Sequence, residues 1–375
     1  MFHFSRRALL HVRVLQLPPQ VDSLHLLLRF SSTSSNSQSF TVSYLVDSCG
    51  LSPESALSAS KLVKFETPSR PDAVIGVFKN RGFTPDQISH IVRRFPALLL
   101  SDPDKTLLPK INFLCSRGIS DLELAKLVVA VPKILSRSLE KHLVPTFDYI
   151  RNLFQSDERA IAAIVRAPRL LYEDPQAEFV PEITTLRNAG VPEVNIRHVV
   201  LYHGQIFWCQ SLRFHETMNR VKEMGFDPSK LSFVIALHVI MSISESMWRK
   251  KIGVYGKWGW SEEVVTLAFR KYPLCMALSE SKITAAMDFF VNVVGLDSLV
   301  IAQRPLAITF SLGKRIVPRG SVFQVLLSKG LIKPCSLTTL LTVSEKKFLE
   351  KFVTNYLREA PQLLAIYNEK MGLAC

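Results

Sequence analysis

No run in the 375 residues reaches the roughly 18 uninterrupted apolar residues of a membrane span. The longest candidate, Phe233 to Ile243, is short and is interrupted by His238. A buried helix is expected there, and no membrane partner. None of the six cysteines, at 49, 115, 209, 275, 335 and 375, belongs to a CxxC pair. This argues against a zinc site and a compact disulfide scaffold, and it suits a reducing compartment. His198 and His203 lack the HExxH arrangement, and neither GxSxG nor GxGxxG occurs. Before Gly313-Lys314-Arg315, Ile308 takes the place of a phosphate loop's first glycine, and Arg315 that of its Ser/Thr. No catalytic residue, cofactor site or metal ligand is assigned, and no enzyme is expected. Strand-length alternation bounded by hairpin turns is missing as well.

Positive charge is plentiful. Lys+Arg number 46 against 32 acids, a formal +14, which points to an anionic partner. Residues 1–40 hold Arg6, Arg7, Arg13 and Arg29 with one acid, Asp22, and a Ser/Thr/Asn run from Ser31 to Ser39. Arg-rich, Ser-rich and acid-poor is the composition of an organellar transit peptide. The early arginines favour the mitochondrion (matrix) over the chloroplast stroma. Most of the positive charge lies beyond residue 40.

From residue 50 the chain repeats. A glycine, an apolar residue and usually a capping residue recur at Gly50-Leu51-Ser52, Gly82-Phe83-Thr84, Gly118-Ile119-Ser120 and Gly190-Val191-Pro192. They continue at Gly225-Phe226-Asp227, Gly259-Trp260-Ser261, Gly295-Leu296-Asp297 and Gly330-Leu331. Near 154 the chain reads Phe154-Gln155-Ser156-Asp157, without the glycine. Glycine closes one helix in the left-handed conformation, the apolar residue packs back, and Ser, Thr or Asp caps the next helix.

A second marker is proline before a short apolar pair. Pro96-Ala97-Leu98-Leu99, Pro132-Lys133-Ile134-Leu135 and Pro168-Arg169-Leu170-Leu171 lie 36 residues apart. Gly204 stands one step further on, a degenerate unit follows around Val239, and Pro273 and Pro305 resume the series. Second prolines at 109, 145, 181 and 318 follow thirteen residues after their markers and must start or kink the second helix. Between markers the apolar spacing is helical, as in Ile88, Ile91, Val92 and Phe95. One such helix pair cannot bury its apolar face alone, so neighbours must stack. The expected fold is all-α, an α-solenoid curved into a superhelix of about 35-residue repeats. Residues 41–330 form the array, and 331–375 form C-terminal capping helices of the same solenoid.

Phe95-Pro96-Ala97-Leu98-Leu99, Val131-Pro132-Lys133-Ile134-Leu135, Ala167-Pro168-Arg169-Leu170-Leu171 and Tyr272-Pro273-Leu274 resemble the mitochondrial transcription termination factor (mTERF) family. The ending from Leu341 to Val353 looks like that of plant organellar members. The resemblance spans about residues 45 to 375. It implies organellar location and nucleic-acid binding along a positively charged concave groove. It also implies a role in transcription termination or initiation, intron splicing or ribosomal RNA maturation. Gly204 and Val239 depart from the pattern in the middle of that groove.

Nine residues on from each proline marker stand Lys105, Lys141, Ala177, Arg213, Trp248, Lys282 and Lys314, with Arg249 beside Trp248. Equivalent positions of a solenoid line one stripe, and Lys105, Lys141, Arg213, Arg249, Lys282 and Lys314 are the expected contacts to a phosphate backbone. Trp248 and Trp258, interleaved with cations, are candidates for stacking on bases. The leading reading is a monomeric, non-covalent regulator of organellar transcription that binds double-stranded DNA. An organellar RNA-binding factor for splicing or rRNA maturation is the first alternative. A protein-binding scaffold, with partners in transcription or ribosome assembly, is the second.

Overall fold

The left-handed turn sets the architecture. In the computed structural model, which describes residues 35–208 and 211–372, all eight marker glycines have φ between 68° and 98°. At Gly118 the turn closes with Gly118 N–H donating to the Cys115 carbonyl (2.9 Å) and Ile119 N–H to the Leu114 carbonyl (3.3 Å). The 119–114 bond is the long-range closure of a Schellman cap, and it drives the following apolar residue back into the core. Leu51, Phe83, Ile119, Val191, Phe226, Trp260 and Leu296 are all buried there.

The helices follow in chain order: α1 (Ser35–Asp47), α2 (Pro53–Ala59), α3 (Ser69–Asn80), α4 (Pro85–Arg94), α5 (Leu108–Ser116), α6 (Asp121–Ala130) and α7 (Val144–Phe154). Next are α8 (Asp157–Arg166), α9 (Arg169–Tyr172), α10 (Pro175–Glu178), α11 (Val180–Asn188), α12 (Glu193–His203), α13 (Ser211–Glu223), α14 (Leu231–Ser242) and α15 (Glu245–Gly256). The last are α16 (Glu262–Lys271), α17 (Glu280–Asp288), α18 (Ser298–Ala302), α19 (Val317–Ser328), α20 (Leu337–Thr342), α21 (Glu345–Phe348) and α22 (Leu363–Met371). No strand occurs among the described residues. The helix that follows each glycine packs on its counterpart in the next unit, giving one layer in the order α2, α4, α6, α8, α12, α14, α16, α18. The intervening helices form a second layer, in which α15 packs on α17 and α22 lies along α19. The fold is an α-solenoid.

The transit segment expected over 1–40 lies outside the described residues up to 34, and α1 starts at Ser35, before the expected boundary. No single described helix is long and apolar enough to cross a membrane; α14 and α15 pass that test only together, bent by 107°.

Pro96, Pro132, Pro168 and Pro273 each end their helix at the preceding residue, with φ of −147° at Phe95, −139° at Val131, −130° at Ala167 and −153° at Tyr272. The proline and apolar pair then form a separate 3-10 turn, Pro96–Leu100, Pro132–Ser136, Pro273–Ala277 or Pro305–Thr309. The second proline stands in the first turn of its α-helix, as expected, at its second residue. Pro109, Pro145 and Pro318 follow a π turn, Pro103–Leu107, Leu139–Leu143 or Leu312–Ile316, in which the amide just before the helix's Pro bonds five residues back. Proline supplies no donor for the regular bond, and the widened turn absorbs the loss.

Where marker residues are missing, the local fold responds. Gly204 keeps the 3-10 turn (Gly204–Trp208), and a Cβ there would sit 3.3 Å from Ala167 Cβ of the unit before. Around Val239 no proline interrupts the helix, so α14 runs on to Ser242 with Phe233, Val234, Leu237 and Ile240 in the core. At the place without glycine, Gln155 itself takes the left-handed conformation, with φ 52°. That conformation costs an L-residue roughly 1–2 kcal/mol, partly offset here because glycine would give the unfolded chain more freedom. Gln155→Gly is therefore expected to stabilise the protein by about 0.5–1 kcal/mol, read as a higher urea midpoint. A lower midpoint would mean that the Gln155 Nε2 bond to the Asn152 carbonyl (2.6 Å) outweighs the strain.

Candidate nucleic-acid interface

The stripe positions acquire a common local structure. Lys105, Lys141, Lys282 and Lys314 each occupy the third position of a capped helix start. Their amides donate to Asp102 Oδ1 (2.9 Å), Ser138 Oγ (3.2 Å), Ser279 Oγ (3.2 Å) and Ser311 Oγ (3.4 Å). Ala177 follows the capping Asp174 by the same interval. A positive charge in the first helical turn opposes the macrodipole, and acids are the favourable choice there. At the opposite end the third positions are mixed, since Arg159 follows the capping Ser156 on α8. Gln87 and Glu123 hold the third positions of α4 and α6 and complete capping boxes with Thr84 and Ser120. The lysines sit where helix stability alone argues against them. An anion held at these helix starts would reverse the sign of the effect.

Charge pairing differs between the two ends. At the glycine turns, arginines closing α3, α7 and α11 meet first-turn acids of α6, α8 and α12. These pairs are Arg81–Asp121 (3.6 Å), Arg151–Asp157 (2.9 Å) and Arg187–Glu193 (2.5 Å). At the other end Lys105, Lys141 and Lys314 are exposed, and no carboxylate lies within ion-pair distance of them among the described residues.

The remaining stripe residues are partly committed elsewhere. Arg213 donates to the Met241 carbonyl (3.0 Å). Lys282 is half-buried, its Nζ donates to the Phe310 carbonyl, and burial lowers its pKa. Both therefore clasp the next unit. Arg249 is well exposed but faces Glu245 at 3.5 Å. Trp248 is not available to a base. It is 6% exposed, packed edge-on against Phe269 (5.0 Å between centroids), with Arg220 over its ring. The uninterrupted α14 shifts the count here, and the true third position, capped by Ser244, belongs to Met247. Trp258 is half-buried against the core at the glycine-turn end of α15, away from the stripe.

Sequence spacing missed a set of buried cations that do the same clasping. Lys110 donates to the Leu135 carbonyl (2.6 Å), and Lys251 to those of Met276 (2.7 Å) and Leu278 (2.5 Å). Arg319 donates to Leu340 (2.9 Å) and Val343 (2.8 Å). Burial lowers the pKa of both lysines. A signal was present: the residues directly after the second prolines, Lys110, Thr146, Glu182 and Arg319, are all polar and all buried. At Lys110 and Arg319 this buried place supplies the clasp, whereas Glu182 Oε2 is buried there without a partner.

A ring ladder also lies at the stripe end, built from residues on α12 and α14. His198 lies 4.7 Å from Tyr202 and 5.7 Å from His203, which is stacked 4.0 Å from His238. Burial, and then the neighbouring His238 and His198, push His203 down to about 4. The unfolded imidazole, near 6.5, binds its proton first as pH falls. Stability is therefore present above about pH 6.5 and is lost as pH falls towards 4. The melting temperature is expected to drop by several degrees between pH 7 and 5, and less so in His203→Gln. Parallel curves for the two proteins would remove His203 from this account.

Among the described residues, no group of three His, Cys, Asp or Glu side chains is placed to hold a metal ion. The family model described as mTERF matches residues 75–237 and, a second time, 205–349, together well over half of the chain. No curated protein matches the chain.

Proposed function

Since the chain belongs to the mTERF family, whose members are non-enzymatic nucleic-acid binders of organellar gene expression, we propose that its unpaired helix-start lysines hold a phosphate backbone. Lys105, Lys141 and Lys314 are the principal contacts, and Arg213, Arg249 and Lys282 are secondary ones. The observation that carries this reading is the recurrence of exposed lysines without a carboxylate in ion-pair distance, Lys105, Lys141 and Lys314, at the same capped helix start of different units.

The mechanism is non-covalent. The array lies along double-stranded DNA in the organelle and regulates transcription by occupying or positioning the duplex. Backbone contacts of this kind fix register without reading sequence. The mitochondrial matrix is the proposed compartment, by the Arg-rich, acid-poor composition of residues 1–40. A second reading, binding to RNA in splicing or rRNA maturation, is favoured by the ring ladder beside the stripe.

The test is a salt titration of the purified chain with labelled duplex DNA and single-stranded RNA from the organelle genome. Six phosphate contacts give a slope of about −5 in log K against log salt. A steep slope with preference for duplex supports the transcription reading, and preference for RNA moves it to the second. Absence of binding to either would sink the proposal.

A further inference from the structure

Tyr202 is 49% exposed, and neither core packing nor helix capping accounts for it. It lies ten residues after the cap of α12. The same place holds Arg94 on α4, Arg166 on α8 and Lys271 on α16. A cation at a helix C-terminus is ordinary compensation of the dipole, but a tyrosine there is not. The guanidinium of Arg166, from the preceding unit, lies over the Tyr202 ring, 4.7 Å from its centroid. Arg166 is exposed, and among the described residues no carboxylate lies within ion-pair distance of it. His198 of the imidazole ladder also lies against the ring, 4.7 Å between centroids. Burial holds His198 and His238 below their usual range as well as His203, so these rings are neutral at pH 7 and do not repel one another. The ladder adjoins the stripe, because Arg213 bonds the Met241 carbonyl three residues beyond His238.

We infer that Arg166 and Tyr202 form a stacking site for an unpaired nucleobase of a single nucleic-acid strand, set beside the backbone stripe. The inference deepens the proposed function and rests on it. Bases in a continuous duplex turn their faces to one another and offer a protein only edges and backbone. A planar guanidinium on a supported ring offers a π face, which an unpaired base of any sequence can use. The two residues come from successive units, so the site exists only in the assembled array.

The full chain is titrated with a fluorescent single-stranded RNA and with a fully paired DNA duplex of the same length, for wild type, Tyr202→Ala, Tyr202→Phe and Arg166→Lys. Arg166→Lys keeps the charge and removes the plane. Tyr202→Ala and Arg166→Lys are expected to weaken the single strand about tenfold, within the range of one lost base stack. The salt slope should stay unchanged, Tyr202→Phe should bind as wild type, and duplex affinity should hardly move. Equal losses on strand and duplex, or no loss on the strand, would overturn the stacking site. Wild type that binds duplex but not the strand overturns the stacking site alone. Wild type that binds neither ligand overturns the proposed function with it.

Discussion

Reversal of Lys105, Lys141 and Lys314 to glutamate together is expected to cut nucleic-acid affinity about 100-fold at low salt and to make the salt slope shallower by about three. Each lysine sits at the start of a second helix with its ammonium in solvent. Its loss should remove one phosphate contact without disturbing the core. Glutamate at these positions suits the helix dipole, so the folded protein should be no less stable than wild type. The two readouts move in opposite senses. A variant that binds as tightly as wild type and melts no lower would take the stripe out of the mechanism. Lys282 is left out because its head group clasps the Phe310 carbonyl, so its reversal would confuse binding with packing.

Arg319→Met is expected to lower stability by about 3 kcal/mol, the largest single effect on the fold. Arg319 is 1% exposed and lies over the Phe348 ring. Besides its two carbonyl bonds it donates to Glu345 Oε2 (2.8 Å), and Glu345 also receives the Tyr367 hydroxyl. Methionine fills the stem's volume but leaves the carbonyls of Leu340 and Val343 short of their donor in a buried place. Burial works to raise the Glu345 carboxyl, but the hydrogen bonds from Tyr367 and Arg319 outweigh it and hold it below the usual range. A lowered carboxylate contributes stability above its unfolded pKa near 4.3 and loses it as pH falls further. The wild-type C-terminal packing should therefore weaken below about pH 4. Urea denaturation with the fluorescence of the four tryptophans as probe measures the variant's loss. A change under about 1 kcal/mol would show that the carbonyls find other donors.

The solenoid was legible because its punctuation rests on backbone chemistry. Gly118 needs a left-handed φ and Pro132 has no amide to donate, so both recur wherever the chain must turn. The stripe was legible as a period, but not in its detail. Whether a lysine is free or clasped depends on where the next unit's carbonyls lie, and spacing within one unit does not contain that. Lys141 and Lys282 look alike in sequence and differ in this respect. Trp248 was misplaced because α14 continues through a turn that its sequence no longer specifies. The ring ladder was missed because its members come from two helices, and the arginine that completes it comes from a third.

The clasps between units are asymmetric in a way that bears on how such an array diverges. At Lys110 and Lys251 the donor is a particular side chain whereas the acceptor is main chain; Arg319 uses main-chain carbonyls too, with Glu345 as an added side-chain acceptor. Leu135, Met276 and Leu340 serve equally well as acceptors because only their carbonyls are used. At the Lys110 and Lys251 seams one side is therefore chemically strict and the other is indifferent to what residue stands there. A unit can be copied, exchanged or drift at its acceptor turn and still be gripped by its neighbour. Loss of one donor opens a seam that no change on the acceptor side can close.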